Sequence, residues 1–201
     1  NDACWYPEKA PVGESVSRAP VSGTWPWQFE PGVTRFCVGC GPIPDPESPW
    51  FSHQSWFHGN IDSFRVTAGV ARTARETYPV PEGPFANDSS DPYFDQVVLL
   101  LLMDGPSGST SISDEKGHSV VARGGAHLTT ARSKFGGASA AFDGVDDWLD
   151  VAMGADADLG DGPWTMEAWV WQDSRHSGGY GSAIFGYGPT SYAAHNLCWS
   201  L

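Results

Sequence analysis

The chain has 201 residues and a formal net charge of −13, from 11 basic and 24 acidic residues. No basic run of the kind that follows phosphates is present, which argues against nucleic acid as a partner. With 10 Trp, 10 Phe and 6 Tyr, the chain is too rich in aromatic side chains for a disordered protein, so a packed core is expected.

The first third of the chain predicts short extended segments rather than helices. Residues 1–35 are rich in Pro, Gly and Trp, and a Pro-rich loop follows at 41–50. Two strands are predicted next, at 56–59 and at 61–67, the second with apolar and polar residues intermixed. Residues 70–76 allow a single helical turn at most.

The remainder of the chain predicts a second β-rich block. Residues 79–92 are the best linker candidate, because their prolines fix φ and their polar side chains cannot build a core. Asp143-Gly144 and Gly178-Gly179 mark turns. The predicted strands are 97–103, 118–123, 139–143, 147–151, 164–171, 183–187 and 196–201.

The longest apolar run, from Val97 to Met103, predicts a strand buried on both faces. It is far shorter than the roughly 20 residues that cross a bilayer. We therefore expect no membrane insertion.

Four cysteines are present, at positions 4, 37, 40 and 198. Cys37 and Cys40 form a CxxC, but no helix pattern follows it, as a redox motif would need. Cys4 and Cys198 do not supply the second closely spaced pair of a zinc site. Disulfides and free buried thiols both remain open.

Catalytic motifs are missing from the sequence. It contains no Glu-x-Asp-x-x-Glu strand, no Gly-x-Ser-x-Gly elbow and no phosphate-cradling loop, and its histidines are scattered. Glu167, on a predicted strand, is interpreted as solvated or paired with an arginine. We expect that the chain is not an enzyme.

Five motifs between residues 99 and 170 resemble one known pattern. They are the strand 99–105 ending in Asp-Gly, Asp114, the Lys-Phe-Gly-Gly at 134–137, the Phe-Asp-Gly turn in 141–144, and the Trp-Thr-x-Glu-x-Trp strand at 164–170. In this order they resemble the laminin G-like / concanavalin A-like lectin domains of phage structural and bacterial surface proteins. The resemblance implies an all-β fold, an antiparallel β-sandwich of jelly-roll type.

The pattern that usually closes such a domain here precedes the one that opens it. The last strand of such a domain, and the segment that follows it, are resembled by Gly59–Val66 and by Gly69–Arg72. Residues 1–86 would then be the C-terminal half of one sandwich, 87–94 a linker, and 95–201 the N-terminal half of the next. The alternative is one domain that is circularly permuted or completed by another subunit, since half a jelly roll would leave strand edges unpaired.

The resemblance also implies calcium near the sheet rim. Asp104 and Asp114 match positions that ligate it, and Asp62 belongs to the closing motif. Two further loops bring several carboxylate oxygens close together in the sequence. One holds Asp143, Asp146 and Asp147, and the other holds Asp156, Asp158 and Asp161. In the alternative interpretation, Asp104 and Asp143 only cap turns.

Carbohydrate binding is the next hypothesis, because sugar sites pair an exposed aromatic ring with hydrogen-bonding side chains. The candidates are Trp50, Trp56, Tyr187 and Tyr192, and the alternative is that these rings pack in the core. Trp169 and Trp171 share one strand face and are expected to pack between sheets or subunits.

These expectations combine into a non-catalytic structural or adhesion protein of an extracellular assembly. The resemblance favours a bacteriophage virion, as a tail or capsid decoration component. The partners would be other copies of the chain or other structural subunits, with cell-surface glycans at loop tips. The alternatives are a secreted bacterial surface or fibre protein with polysaccharide-binding repeats, and the accessory module of a hydrolase.

Overall fold

The computed structural model of the chain describes residues 4–5, 13–21, 34–41, 56–72, 81–160, 162–174, 182–187 and 197–200. Within these ranges there is no α-helix, and the only helical segments are two 3-10 turns, at Phe94–Gln96 and Gly154–Ala157. The strands are β1 Cys4–Trp5, β2 Gly13–Val21, β3 Arg35–Val38, β4 His58–Ala68, β5 Val97–Leu101, β6 Ser119–Arg123, β7 His127–Thr129, β8 Ser139–Asp143, β9 Trp148–Ala152, β10 Trp164–Ser174, β11 Ala183–Tyr187 and β12 Leu197–Ser200.

The strands form two sheets, which confirms the all-β sandwich. The first sheet has the order β1-β12-β11-β3-β9-β6, and the second has the order β2-β10-β4-β8-β7 with β5 also paired to β4. The described neighbours are antiparallel except for β1 and β12, which are parallel.

Strand β4 joins the two blocks of the sequence. It pairs along its length with β10, while its other edge is shared between β8, opposite His58–Ile61, and β5, opposite Phe64–Thr67. In the first sheet, β3 likewise lies between β11 and β9. Strands from both sides of residues 87–94 are therefore interleaved in each sheet, within one chain.

A β-bulge in β4 lies at the point where this edge changes partner. Phe64 pairs with Ala168 and Asp62 with Trp169, so Ser63 is an extra residue, and its φ is 64°. A bulge shifts the side-chain alternation by one residue. This explains how Ile61 and Phe64, three positions apart, both reach the core.

The main core fills the space between the sheets. Phe64 of the second sheet stacks on Phe185 of the first, with ring centroids 5.7 Å apart, and Phe36 meets Phe185 edge-on at 5.0 Å. Such pairs add roughly 0.5–1.5 kcal/mol to the burial of the rings. No helix in the described part of the chain has the length and hydropathy to cross a membrane.

A second apolar cluster covers the outer face of the second sheet. Leu99 and Leu101 point into the main core, so Leu100 points outward, where it packs with Phe85, Val97 and Trp169. Trp169 therefore lies outside the sandwich, so packing between the sheets is wrong for this ring, and packing between subunits stays a prediction.

Candidate ligand-binding surface

A shallow depression lies on this outer face beside Trp171. It is lined by residues of β4, β10, the loop between β7 and β8, and Ser139 of β8, and encloses about 50 Å³. That is far below the roughly 300–1,000 Å³ of a typical small-molecule pocket, so a ligand would lie on it rather than inside it. We define the Trp171 surface as five side chains: Asn60, Arg132, Lys134 and Trp171, which line the depression, and Asp173, which bonds to Trp171 and Arg132.

Trp171 is half-buried and held in a fixed orientation. Its Nε1 donates a hydrogen bond of 3.0 Å to Oδ1 of Asp173. The guanidinium of Arg132 lies 4.4 Å from the centre of the indole ring and donates to the same Asp173 oxygen at 2.8 Å. A cation over an aromatic face is attracted by the ring quadrupole, so the contact stabilises this arrangement.

The loop that carries Arg132 is tied to the sheet beneath it. Arg132 donates to Oδ1 of Asn60 at 3.2 Å, and Asn60 donates to the Ser139 hydroxyl at 3.1 Å. That hydroxyl donates back to the carbonyl oxygen of Arg132 at 2.7 Å. Because Asn60 and Ser139 are buried, these bonds are shielded from water and fix the loop.

Asp62 anchors the next part of the same loop. Its carboxylate accepts hydrogen bonds from the backbone amides of Lys134 and Phe135. Burial raises the pKa of Asp62, and these amide hydrogen bonds oppose the rise. The ammonium of Lys134 lies 4.7 Å from the ring centre of Trp169, whose side chain is almost fully buried.

A buried ionic cluster forms the far end of this face. Arg65 of β4 donates to Glu167 of β10 and, at 3.0 Å, to Asp91, and Arg72 donates to both oxygens of Asp91. The Phe85 ring covers Arg65 at 4.2 Å. The pairing of Glu167 with an arginine confirms one of the two interpretations of that residue, and the cluster fixes residues 85–93 to the sheet.

The predicted calcium ligands do not come together as a set. Among the described residues, Asp62, Asp104 and Asp114 do not have ligand atoms within 4.8 Å of one another. Asp114 caps a turn instead, accepting the amides of Leu100 at 2.8 Å and His118 at 3.0 Å. Within the described residues these three do not form one cluster, and calcium binding by them stays a prediction.

Asp104 instead contacts the loop that Asp62 anchors. A Cβ added at Gly136 would lie 1.9 Å from Oδ1 of Asp104, and φ of Gly136 is 61°, so only glycine fits there. The charge of Asp104 also contributes to the raised pKa of Asp62. Two of the three predicted ligands thus meet at the Lys-Phe-Gly motif, in a structural role.

Asp143, Asp146 and Asp147 do bring carboxylate oxygens within 4.8 Å of one another. Asp143 accepts the amide of Val145 at 2.7 Å, and Asp147 accepts those of Asp143 at 2.8 Å and Gly125. Burial raises the pKa of Asp147. These hydrogen bonds are those of a capped turn, and a metal ion at this group stays a prediction.

Two members of the last predicted acidic group, Asp156 and Asp158, make separate contacts. The carboxylate of Asp156 lies 3.1 Å from Nε2 of His118, and that of Asp158 accepts the amide of Gly160 at 2.9 Å. Asp161 lies outside the described residues.

Of the four aromatic residues predicted to bind sugar, the structure describes the side chain of Trp56 alone. The Trp56 side chain is only 5% exposed and packs with Cys37, Cys40 and Trp148, so it offers no free ring face. The backbone of Tyr187 pairs with Phe36 in the first sheet, but its side chain lies outside the described residues. Trp50 and Tyr192 also lie outside them.

The sequence predicts only part of the Trp171 surface. The alternation of Trp169 and Trp171 does place both rings on one strand face. Nothing in the sequence indicated that Asn60, Arg132 and Asp173 would converge on that face. No protein-family model, curated protein or solved structure matches the chain.

Proposed function

We propose that the chain is a non-catalytic adhesion or structural module of an extracellular assembly, and that the Trp171 surface is where it contacts glycans. The finer fold that we propose is a jelly roll of the laminin G-like / concanavalin A-like type. Support for this type comes from the motif resemblance, which covers roughly residues 36–201. No match to a known protein adds to that support.

The observation that carries the glycan proposal is the half-buried ring of Trp171, held in place by Arg132 and Asp173 among hydrogen-bonding side chains. An apolar ring face stacks on the C–H face of a sugar, and the neighbouring polar groups bond its hydroxyls. Fixing the ring before binding lowers the conformational entropy lost in the complex. The shallow shape suits an extended polysaccharide better than an enclosed small molecule.

The test is a glycan array followed by a titration with the polysaccharide that gives the strongest signal. Trp171→Ala should weaken binding at least about tenfold, because it removes the stacking surface. Trp148→Ala, which changes a half-buried tryptophan on the first sheet, and Val121→Ala, on edge strand β6, should bind as the wild type does. Melting curves of each variant exclude unfolding as the cause of lost binding.

Two results would overturn the glycan proposal. In the first, the folded wild-type chain binds no glycan on the array. In the second, Trp171→Ala binds as well as the wild type.

The setting that we propose is a bacteriophage virion, in a tail or capsid decoration, with copies of the chain or other structural subunits as partners. The alternative is a secreted bacterial surface or fibre protein that binds polysaccharide. Ordered copies on purified particles would support the virion. Calcium binding stays a prediction of the resemblance, which assigns it to Asp62, Asp104 and Asp114.

A further inference from the structure

The first sheet places two cysteines from opposite ends of the chain side by side. In the parallel pair β1–β12, Cys4 is in register with Cys198. Strand β12 in turn pairs with β11, where Cys198 is opposite Gly186, and Gly186 is opposite Cys37. Three of the four cysteines therefore lie in one row across the sheet.

Within this row, the Cys37 thiol already has hydrogen-bond partners. It is a buried thiol, and its Sγ lies 2.8 Å from the carbonyl oxygen of Gly41 and 3.3 Å from that of Gly186. A thiol that donates to main-chain carbonyls behaves as a small core residue. The CxxC is therefore not closed on itself by a Cys37–Cys40 bond.

The register of Cys4 with Cys198 places their backbones at the spacing of neighbouring strands, which a disulfide can span. Neighbouring strands are about 4.8 Å apart, and disulfides join Cα atoms about 4.4–6.8 Å apart. Residues in register on neighbouring strands also share one face of the sheet. We propose that Cys4 and Cys198 form a disulfide that fastens the N-terminal strand to the C-terminal one.

The reaction needs a two-electron oxidant, and the one that we propose is another disulfide, such as glutathione disulfide or a protein disulfide. The Cys4 and Cys198 thiols lose two hydrogens and form one S–S bond, and the oxidant's S–S bond is reduced to two thiols. Among the described residues, strand β1 pairs with β12 at two positions, Cys4 and Trp5, so this main-chain pairing alone is weak. The covalent link would hold it in place and close nearly the whole chain into one loop.

The test is peptide mapping of the full chain after incubation with glutathione disulfide and alkylation without reductant. We expect one cross-linked pair of peptides, containing Cys4 and Cys198, that separates after reduction. Cys198→Ser should lose the cross-link and leave Cys4 alkylated, whereas Cys40→Ser should keep it. Recovery of Cys4 and Cys198 both alkylated, or of Cys4 joined to Cys40, would overturn the proposal.

Thermal unfolding gives a second readout. Reductant should lower the Tm of the wild type by roughly 5–10 °C, as expected for removing one disulfide from a domain of this size. It should not lower the Tm of the double variant Cys4→Ser/Cys198→Ser. An equal effect of reductant on both proteins would contradict the proposal.

Discussion

The carboxylate of Asp62 accepts a hydrogen bond of 2.9 Å from the backbone amide of Phe135, 73 residues further along the chain. The amide of Lys134 donates to the same oxygen. Asp62 belongs to the motif that resembles the end of a laminin G-like domain, and Phe135 to one from its middle. Their contact shapes the loop that presents Arg132 and Lys134 beside Trp171.

Two substitutions at Asp62 separate its hydrogen bonds from its charge. Asp62→Ala leaves two amides without an acceptor and should cost about 1–3 kcal/mol of unfolding free energy. Asp62→Asn keeps an accepting oxygen and removes a buried charge, so it should be neutral or stabilising at pH 7. Urea unfolding measures both, and equal losses in the two variants would show that the charge matters more than the amides.

The stability difference between wild type and Asp62→Asn should depend on pH. Burial raises the pKa of Asp62 in the folded state above the unfolded value of about 3.9. A group of this kind stabilises the folded state below its unfolded pKa, and this contribution is lost as the pH rises through the folded pKa. The advantage of Asp62→Asn should therefore grow from about pH 4 towards pH 7, and a constant difference in urea titrations would refute this.

Asp91 should show the opposite dependence. Burial alone would raise its pKa, but hydrogen bonds from Arg72 and the Tyr93 amide, with the charges of Arg72 and Arg65, lower it. Its contribution is therefore present above the unfolded pKa and is lost as the pH falls through the folded pKa. Asp91→Asn should be less stable than wild type at pH 7, and the deficit in urea unfolding should shrink in acid.

The buried and exposed ion pairs on the second sheet should differ strongly in strength. Glu167→Gln leaves the buried Arg65 charge without its carboxylate partner on β10 and should cost about 3–5 kcal/mol. Asp173→Asn removes a carboxylate that is 40% exposed, as is its partner Arg132, and should cost less than about 1 kcal/mol. Similar losses in chemical denaturation would show that burial does not decide the energies of these pairs.

Gln172 is a site where a less polar residue should stabilise the fold. Its side-chain amide is buried, and neither atom has a hydrogen-bond partner within the described part of the chain. Gln172→Met should raise the unfolding free energy by about 1 kcal/mol. The control is Asn60→Leu, which removes an amide bonded to both Ser139 and Arg132 and should destabilise. A loss in Gln172→Met would instead indicate an ordered water at this amide.

The positions of most strands in the second block follow from local patterns. The predicted segments 139–143 and 183–187 coincide with β8 and β11, and 164–171 forms most of β10. Short apolar runs between Gly, Asp and Pro turns were sufficient for these. Strand β7, with only His127–Thr129, gave no comparable signal, and it is defined by its pairing with β8.

Which strands pair, and what lies on the sheet faces, could not be predicted in the same way. The three-residue spacing of Ile61 and Phe64 is that of a bulged strand. A sequence does not show, however, which strands pair with β4 along its two edges. The Pro-rich, polar segment before β5 suggested a linker, whereas its Asp91 is a buried partner of two arginines. Long-range ion pairs of this kind have no local signal, and neither has the convergence of Asn60, Arg132 and Asp173.

One chain supplies both blocks of the sandwich and so forms the Trp171 surface by itself. NMR on an equal mixture of isotope-labelled and unlabelled full-length chains can check this through NOEs between β4 and β5, where Arg65 is opposite Leu100. We predict these NOEs in a uniformly labelled sample and none between labelled and unlabelled chains. NOEs between labelled and unlabelled chains, or none in either sample, would show that the two blocks do not pair within one chain.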